Sequence, residues 1–294
     1  MRRRCLPIAL LSLLAALPAA AGPPAPSLDE LLGRAGRTVA DLEEQLAAVV
    51  GDESYRQALS IGRDNTARER RTLDSDVAWV PTGDAMVWAF YRDVRAVDEQ
   101  PVRDRTARLE ALFPPGWTAE ARGRAQAILE ESSRYNLGSR RTVNSPTVAL
   151  TCVHPRNQRR FAWRIAGSDE KSGARCWKVR FGETAKPTLV RTARGEDVPL
   201  RGVLWVEAGS GAVVASRAEM TPPRRGAMVL ETDFHLDERL GFWLPSEMRE
   251  TYGNRVRASD QDRIEARATY SAWRRAQAQV EEMILPPAVE PRGR

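Results

Sequence analysis

Apolar residues recur at helical spacing over the stretch that begins near residue 27. Ser27 and Glu30 form the serine–glutamate pair of a capping box, which marks the start of a helix. Beyond this cap, the apolar positions describe one continuous stripe: Leu28, Leu31, Leu32, Ala35, Val39, Leu42, Leu46 and Val49. The stripe predicts an amphipathic helix of about six turns that packs its apolar side on a larger element and is broken at Gly51 and Asp52.

From residue 53 onward the period changes to that of strands. Residues 54–61 and 67–80 contain strand-like stretches, and the turn residues 81–84 separate them from the apolar run 86–91. This arrangement predicts a β-hairpin between residues 77–80 and the run 86–91. In its second strand, four residues share one face: Trp88, Phe90, Arg92 and Val94.

The middle of the chain predicts helices. Residues 101–113 form a charged segment with the pattern of a short helix, and residues 118–135 carry a second amphipathic pattern that stops near Gly138. The apolar segment 147–153 is predicted as helical, and residues 154–157 end it. The chain is thus predicted to have two amphipathic helices, one from the first stripe and one from the segment 118–135.

The remainder of the chain predicts a β-meander. Its turn 209–211 is a tight hairpin connection, and residues 228–236 and 264–270 alternate apolar with charged side chains. The predicted strands are 160–166, 176–183, 188–192, 203–207, 213–220, 228–236, 243–252 and 264–273. A large antiparallel sheet with one solvated face and two amphipathic helices over the other belongs to the α+β class.

The N-terminal residues have the layout of a secretory signal peptide. Arg2–Arg4 precede an apolar run at 6–17 and the small residues 19–21. The run is shorter than the roughly 20 apolar residues of a membrane span. A lipoprotein signal would place a cysteine after the run, whereas Cys5 precedes it, and the twin-arginine pattern is faint. We therefore expect cleavage near Ala21 and a periplasmic or secreted protein without a transmembrane segment.

The remaining organisation follows from composition. Residues 22–26 form a proline-rich spacer, residues 27–285 a single domain, and residues 286–294 a tail rich in proline and glycine that is predicted to be disordered.

The formal charge of +6 at pH 7 includes the three signal arginines. The chain left after cleavage is thus nearer to about +3, and its acids and bases are interspersed. We expect no nucleic-acid partner, because no basic block stands clear of acids. Two cysteines would survive cleavage, Cys152 and Cys176. In an exported protein they form either a disulfide or two buried thiols, and the sequence leaves both possibilities open.

Residues for catalysis or metal binding are sparse. The chain has two histidines, His154 and His235, and they do not belong to a cluster with metal-ligand spacing. We find no nucleophile elbow and no glycine-rich phosphate loop. Carboxylate pairs such as Asp74 with Asp76, or 260 with 262, leave a hydrolase as an alternative. We therefore expect no metal, no cofactor and no enzymatic activity.

Aromatic residues concentrate on the predicted strands. They form either a packed core or the wall of an apolar concavity beneath the helices. The candidate groove residues are Trp88, Phe90, Trp163, Trp205, Phe234 and Trp243.

The strand order resembles that of a known family. Residues 176–181, 187–192 and 202–217 are similar to the central hairpins of periplasmic lipoprotein-carrier (LolA-like) proteins, and residues 240–252 with 266–273 are similar to their last strands. Patterns such as Arg134-Tyr-Asn-Leu-Gly and His154-Pro-Arg-Asn-Gln resemble uncharacterised exported bacterial proteins. The resemblance implies a curved sheet, or half-barrel, with helices as a lid over an apolar cavity.

Three hypotheses about function follow. The first is a non-enzymatic periplasmic module that binds an apolar ligand, namely a lipid, an acyl chain or a lipidated protein. The second is an envelope protein that binds other proteins through its edge strands or its charged face. The third is a hydrolase with scattered carboxylates.

Overall fold

The computed structural model describes residues 26–60, 66–82, 85–103, 127–128, 130–138, 141, 143–223, 226–253 and 263–276. The predicted signal peptide, nearly all of the spacer and the C-terminal tail lie outside the described residues. So do most of the predicted helix 101–113 and the first part of the helix 118–135. None of the described helices has the length and apolar content needed to cross a membrane.

The first helix, α1 (Leu28–Leu46), begins as predicted. The Ser27 backbone N–H donates to Glu30 Oε2 at 3.0 Å, and the Glu30 backbone N–H donates to Ser27 Oγ at 3.2 Å. The helix ends earlier than predicted, at Leu46, and Gly51 does not break it. Gly51 lies inside the following strand. Glycine is needed there, because a Cβ at this position would come within 2.2 Å of the Trp273 ring.

Thirteen strands follow in chain order within the described residues, and a one-turn helix, α2 (Leu150–Val153), lies between the fourth and the fifth. They are β1 Val49–Ser60, β2 Ala67–Pro81, β3 Trp88–Val97, β4 Gln100–Pro101, β5 Phe161–Lys171, β6 Ala174–Glu183, β7 Val190–Arg191, β8 Asp197–Val198, β9 Arg201–Glu207, β10 Val213–Met220, β11 Met228–Asp237, β12 Phe242–Gly253 and β13 Arg263–Arg275.

Eleven of these strands form one antiparallel sheet in the order β4-β3-β2-β1-β13-β12-β11-β10-β9-β6-β5. The last strand therefore lies beside the first, and β4 and β5 are the edges. The hairpin predicted around residue 82 is confirmed, because Pro81 of β2 pairs with Trp88 of β3. The strand predicted at 188–192 contributes to a separate two-stranded sheet of β7 and β8.

The two faces of the large sheet differ in chemistry, as the alternating pattern predicts. Along β13, Ile264, Ala266, Ala268 and Tyr270 are buried while the residues between them are exposed. We call the apolar side the core face and the charged side the outer face. α1 buries its stripe on the core face, where one cluster joins it to α2 and to the strands.

The fold class is confirmed only in part. The large antiparallel sheet is present, but the protein is mostly β within the described residues, and α1 is the one long helix that covers the sheet. Of the segment 118–135, residues 127–128 and 130–133 are helical, and Gly138 has a φ of +69° after them. The segment 147–153 is confirmed as helical only in its last four residues, which form α2, and residues 147–149 form a turn.

Candidate functional site

A tight turn between β9 and β10 fastens α1 to the sheet. Arg34 Nη1 donates to the carbonyl oxygen of Ala208 at 3.0 Å, and Thr38 Oγ1 donates to that of Ser210 at 3.3 Å. Gly211 approaches the helix so closely that a Cβ there would lie 2.7 Å from Arg34 Cβ. Its φ of +80° also favours glycine. The predicted turn 209–211 is therefore confirmed, and it sets how α1 lies on the sheet.

Beyond this turn, a cavity of about 350 Å³ lies between the second half of α1 and strands β10, β11 and β12. Polar groups stand at its border, among them Thr38, Asp41 and Gln45 of the helix. We call this cavity the helix groove. Its apolar wall includes Val39, Leu42, Leu150, Phe234, Leu236 and Trp243.

The helix groove is open to solvent at one apolar side chain. Leu236 is 47% exposed, and it is the one large hydrophobic residue that is exposed in the described part of the chain. Its neighbour in the groove, Phe234, is 2% exposed and belongs to the core cluster. The groove thus continues the core outward, and a concave apolar surface bordered by a few polar groups is the usual form of a small-molecule site.

The structure does not bring the six candidate aromatic residues together. Phe234 and Trp243 line the helix groove, whereas Trp88 and Phe90 border a cavity of about 100 Å³ beside β3. Trp163 borders a hollow of about 580 Å³ on β5 and β6.

Trp205 lies on the outer face. It points outward because Leu204 and Val206 on either side of it point into the core, and its indole Nε1 donates to Asp169 Oδ2 at 3.0 Å. The aliphatic groove residues were not singled out from the sequence. The available signals were the stripe of α1 and the position of Leu236, which continues the apolar alternation of β11 beyond Phe234.

A pair of buried charges lies on the core face next to the smaller cavity. Glu53 of β1 and Arg92 of β3 form two hydrogen bonds, one of them Arg92 Nη2 to Glu53 Oε1 at 2.7 Å. Their side chains are 0% and 6% exposed. Burial alone would lower the pKa of Arg92, but the Glu53 carboxylate outweighs it and holds the pKa above the usual value. The guanidinium also lies 4.5 Å above the Tyr55 ring.

A second buried group adjoins this pair. Arg141 Nη1 donates to the carbonyl oxygen of Leu137 at 2.7 Å, and Arg141 Nη2 donates to Tyr55 Oη at 3.1 Å. Glu250 accepts from the hydroxyls of Tyr55 and Tyr252, and burial raises its pKa. Both buried carboxylates have protein partners. These hydrogen bonds join buried side chains of the sheet to one another, and neither the Glu53 nor the Glu250 carboxylate is exposed to solvent.

The other polar candidates are placed as ordinary structural groups. Asp76 lies 3.2 Å from Arg95 in an ion pair. His154 is the C-cap of α2, its Nε2 lies 3.0 Å from Glu43 Oε2, and burial lowers its pKa. His235 is exposed on β11. In the described ranges, no three histidine, cysteine or carboxylate side chains are close enough to hold a metal ion.

The two cysteines do not pair. Both are buried free thiols, Cys152 in the core cluster and Cys176 on the outer side of β6. The alternation of β6 explains the separation, because Val179 and Phe181 point to the core and Cys176 therefore points away. Of the two possibilities that the sequence left open, the structure has the buried thiols.

This arrangement predicts that both thiols resist alkylation in the folded protein. Burial raises the pKa of Cys152 well above its usual value and that of Cys176 to about 11, so little thiolate is present at neutral pH. Iodoacetamide at pH 7.5, followed by peptide mass spectrometry, should label Cys152 and Cys176 only after unfolding in guanidinium. A disulfide-linked peptide in the unreduced digest would contradict the assignment.

No known protein family and no curated protein matches the chain. Among solved structures, a domain assigned to an outer membrane lipoprotein-sorting protein from Vibrio parahaemolyticus is 9% identical with a TM-score of 0.40, covering 84% of this chain and 95% of that one. A DUF1329 family protein from Desulfovibrio piger is 10% identical with a TM-score of 0.35, covering 83% and 92%. The structural neighbours therefore include the lipoprotein-sorting class that the sequence resembles, at a level of likeness that carries no argument about function.

Proposed function

We propose that the protein is a non-enzymatic periplasmic binding module that holds the acyl chain of a lipid in the helix groove. The observation that carries this proposal is the open apolar cavity between α1 and the sheet, with Leu236 exposed in its wall. Its volume of about 350 Å³ falls in the range of small-molecule sites, about 300–1,000 Å³. The compartment rests on the signal peptide predicted at residues 1–21.

The lining favours an amphiphile over a wholly apolar molecule. The apolar wall provides a place for methylene groups, while Thr38, Asp41 and Gln45 stand at the border where a polar head would meet water. Each methylene removed from water contributes about 0.8 kcal/mol. Affinity should therefore rise from octanoate to dodecanoate and level off once the chain fills the groove.

Leu236→Asp is expected to weaken dodecanoate binding about 100-fold, which corresponds to about 2.7 kcal/mol. The new carboxylate would have to lose water against the acyl chain, which is unfavourable for an unpaired charge. Displacement of a fluorescent fatty acid from the purified protein measures the change. Because Leu236 is half exposed, the fold should tolerate the substitution.

The matched control is His235→Asp. His235 is the adjacent residue of β11, is exposed, and acquires the same charge without entering the groove. It should bind dodecanoate like the wild type. Equal affinities of both variants and the wild type, or an equal loss in both variants, would argue against the helix groove as the site.

Tryptophan fluorescence gives a second test of location. A brominated fatty acid in the groove should quench Trp243 and leave Trp205, which lies on the outer face, unaffected. The ligand-dependent quenching should therefore fall in Trp243→Phe and persist in Trp205→Phe. Native mass spectrometry of protein purified without detergent identifies any co-purified lipid, and a bound peptide there would instead favour the protein-binding hypothesis.

A further inference from the structure

The outer face carries two arginines directly opposite each other at one end of the sheet. Arg164 of the edge strand β5 is the cross-strand partner of Arg180 on β6. Both point away from the core, because Trp163 and Ile165 beside Arg164 pack against the core and Val179 and Phe181 beside Arg180 belong to it. Like charges in direct cross-strand opposition are destabilising. This pair therefore costs the fold stability.

Several other arginines of the outer face are matched by acids. Arg217 Nη1 lies 2.5 Å from Glu231 Oε1, and Arg249 Nη2 lies 3.0 Å from Asp233 Oδ2. Arg267 pairs with Glu247. Arg164 and Arg180, by contrast, are exposed and form no ion pair with any residue in the described ranges. Arg164 and Arg180 therefore lie opposite each other on the outer face without a neutralising acid.

That place is a hollow rather than a flat surface. A cavity of about 580 Å³ lies there, bordered by Arg164, Arg180, Arg201 and Arg217, and we call it the arginine hollow. Gly182 leaves it open, because a Cβ at that position would meet nothing within 4 Å. One acid, Glu219, borders the hollow and pairs with Arg201 at 3.0 Å and with Arg217 at 2.8 Å.

We propose that the arginine hollow binds a phosphate group. Guanidinium groups match phosphate oxygens in bidentate geometry and are the side chains best suited to this recognition. Glu219 and Glu231 neutralise part of the charge of Arg201 and Arg217, whereas the positive charges of Arg164 and Arg180 have no counter-ion at the hollow. A phosphate dianion would offset the charges of Arg164 and Arg180 and relieve their repulsion. The site lies on the opposite face from the helix groove, so it is independent of acyl-chain binding.

The test compares two double variants that remove the same charge from the same face. Arg164→Gln with Arg180→Gln should weaken binding of inorganic phosphate, measured by calorimetry at low salt, at least tenfold. The Tm of this variant should stay unchanged or rise, because an unfavourable contact is removed. Arg249→Gln with Arg267→Gln changes arginines that acids already neutralise, and its phosphate affinity should stay within about twofold of the wild type.

A third variant tests whether binding depends on the shape of the hollow as well as on its charge. Gly182→Leu keeps every arginine and fills the floor, so phosphate binding should fall although the net charge is unchanged. Its Tm shows whether the fold is kept, and the arginine variants carry the test if it is not. An affinity that follows net charge alone, with equal losses in both arginine variants, would overturn the proposal.

Vesicles distinguish the source of the phosphate group. Cosedimentation with phosphatidylglycerol vesicles and none with phosphatidylcholine vesicles, abolished in the Arg164/Arg180 variant, identifies a phospholipid headgroup. Binding of inorganic phosphate without binding to vesicles identifies a soluble phosphate compound. Absence of both from the wild-type protein would contradict the proposal, whatever the result at the helix groove.

Discussion

Replacing Glu53 by glutamine is expected to lower the free energy of unfolding by about 3–5 kcal/mol. The substitution keeps the size of the side chain but removes the charge that balances Arg92, which is buried on the core face. An arginine retains its proton under all ordinary conditions, so the folded state would contain an unpaired buried cation. Urea unfolding followed by near-UV circular dichroism measures the change in midpoint.

Two further variants test whether that loss of stability comes from the unpaired buried charge of Arg92. Glu231→Gln removes a carboxylate that pairs with Arg217 on the outer face, and it should cost no more than about 1 kcal/mol, because that pair is partly solvated. Glu53→Leu combined with Arg92→Met should recover much of the stability that Glu53→Gln loses, since no unpaired charge remains. If Glu53→Gln costs as little as Glu231→Gln, the buried pair is not a principal link between β1 and β3.

The second large effect is expected at Gly51. Gly51→Val should destabilise the protein by about 3 kcal/mol, at the upper end of the range for overpacking. The Trp273 ring occupies the space where a side chain would project, and it has little room to move. Its centroid lies 5.4 Å from that of Trp79 and 6.0 Å from that of Tyr270. Thermal unfolding compared with the wild type measures the effect.

Gly182→Val provides the matched control for Gly51→Val. It also places a β-branched residue in a strand, but at a position where a Cβ meets nothing within 4 Å. We expect a Tm equal to or above that of the wild type, because valine favours strands and the glycine no longer adds entropy to the unfolded chain. A similar loss of stability in both variants would mean that strand propensity, and not the Trp273 ring, explains the effect at Gly51.

Local patterns predicted the elements well where each element has one buried side. The capping box placed the start of α1 at the observed residue, and the alternation of 264–270 placed the inward side chains of β13. They failed at Gly51, because glycine breaks a helix and also admits a ring against a strand, and the chain near residue 51 does not distinguish these two uses.

The sequence predicted what kind of site the protein has, but not where that site lies. Aromatic residues on strands predicted an apolar concavity, yet of the six candidates only Phe234 and Trp243 line the helix groove. Trp205 satisfies the same criterion and lies on the outer face, since strand register decides which side of the sheet each residue occupies. The buried partner of Arg92 was also hidden, because Glu53 lies 39 residues earlier in the chain and the two meet across β2.

The sequence by itself determined the start of the covering helix, the positions of the long strands along the chain and the division of the sheet into an apolar and a charged face. These features depend on contacts between residues a few positions apart, and periodicity records them directly. Only the tertiary structure decided that β13 lies beside β1, that α1 leaves an open groove at Leu236, and that Arg164 faces Arg180 without an acid. Each of these follows from strand pairing and helix docking between distant segments, whose free energies no local pattern contains.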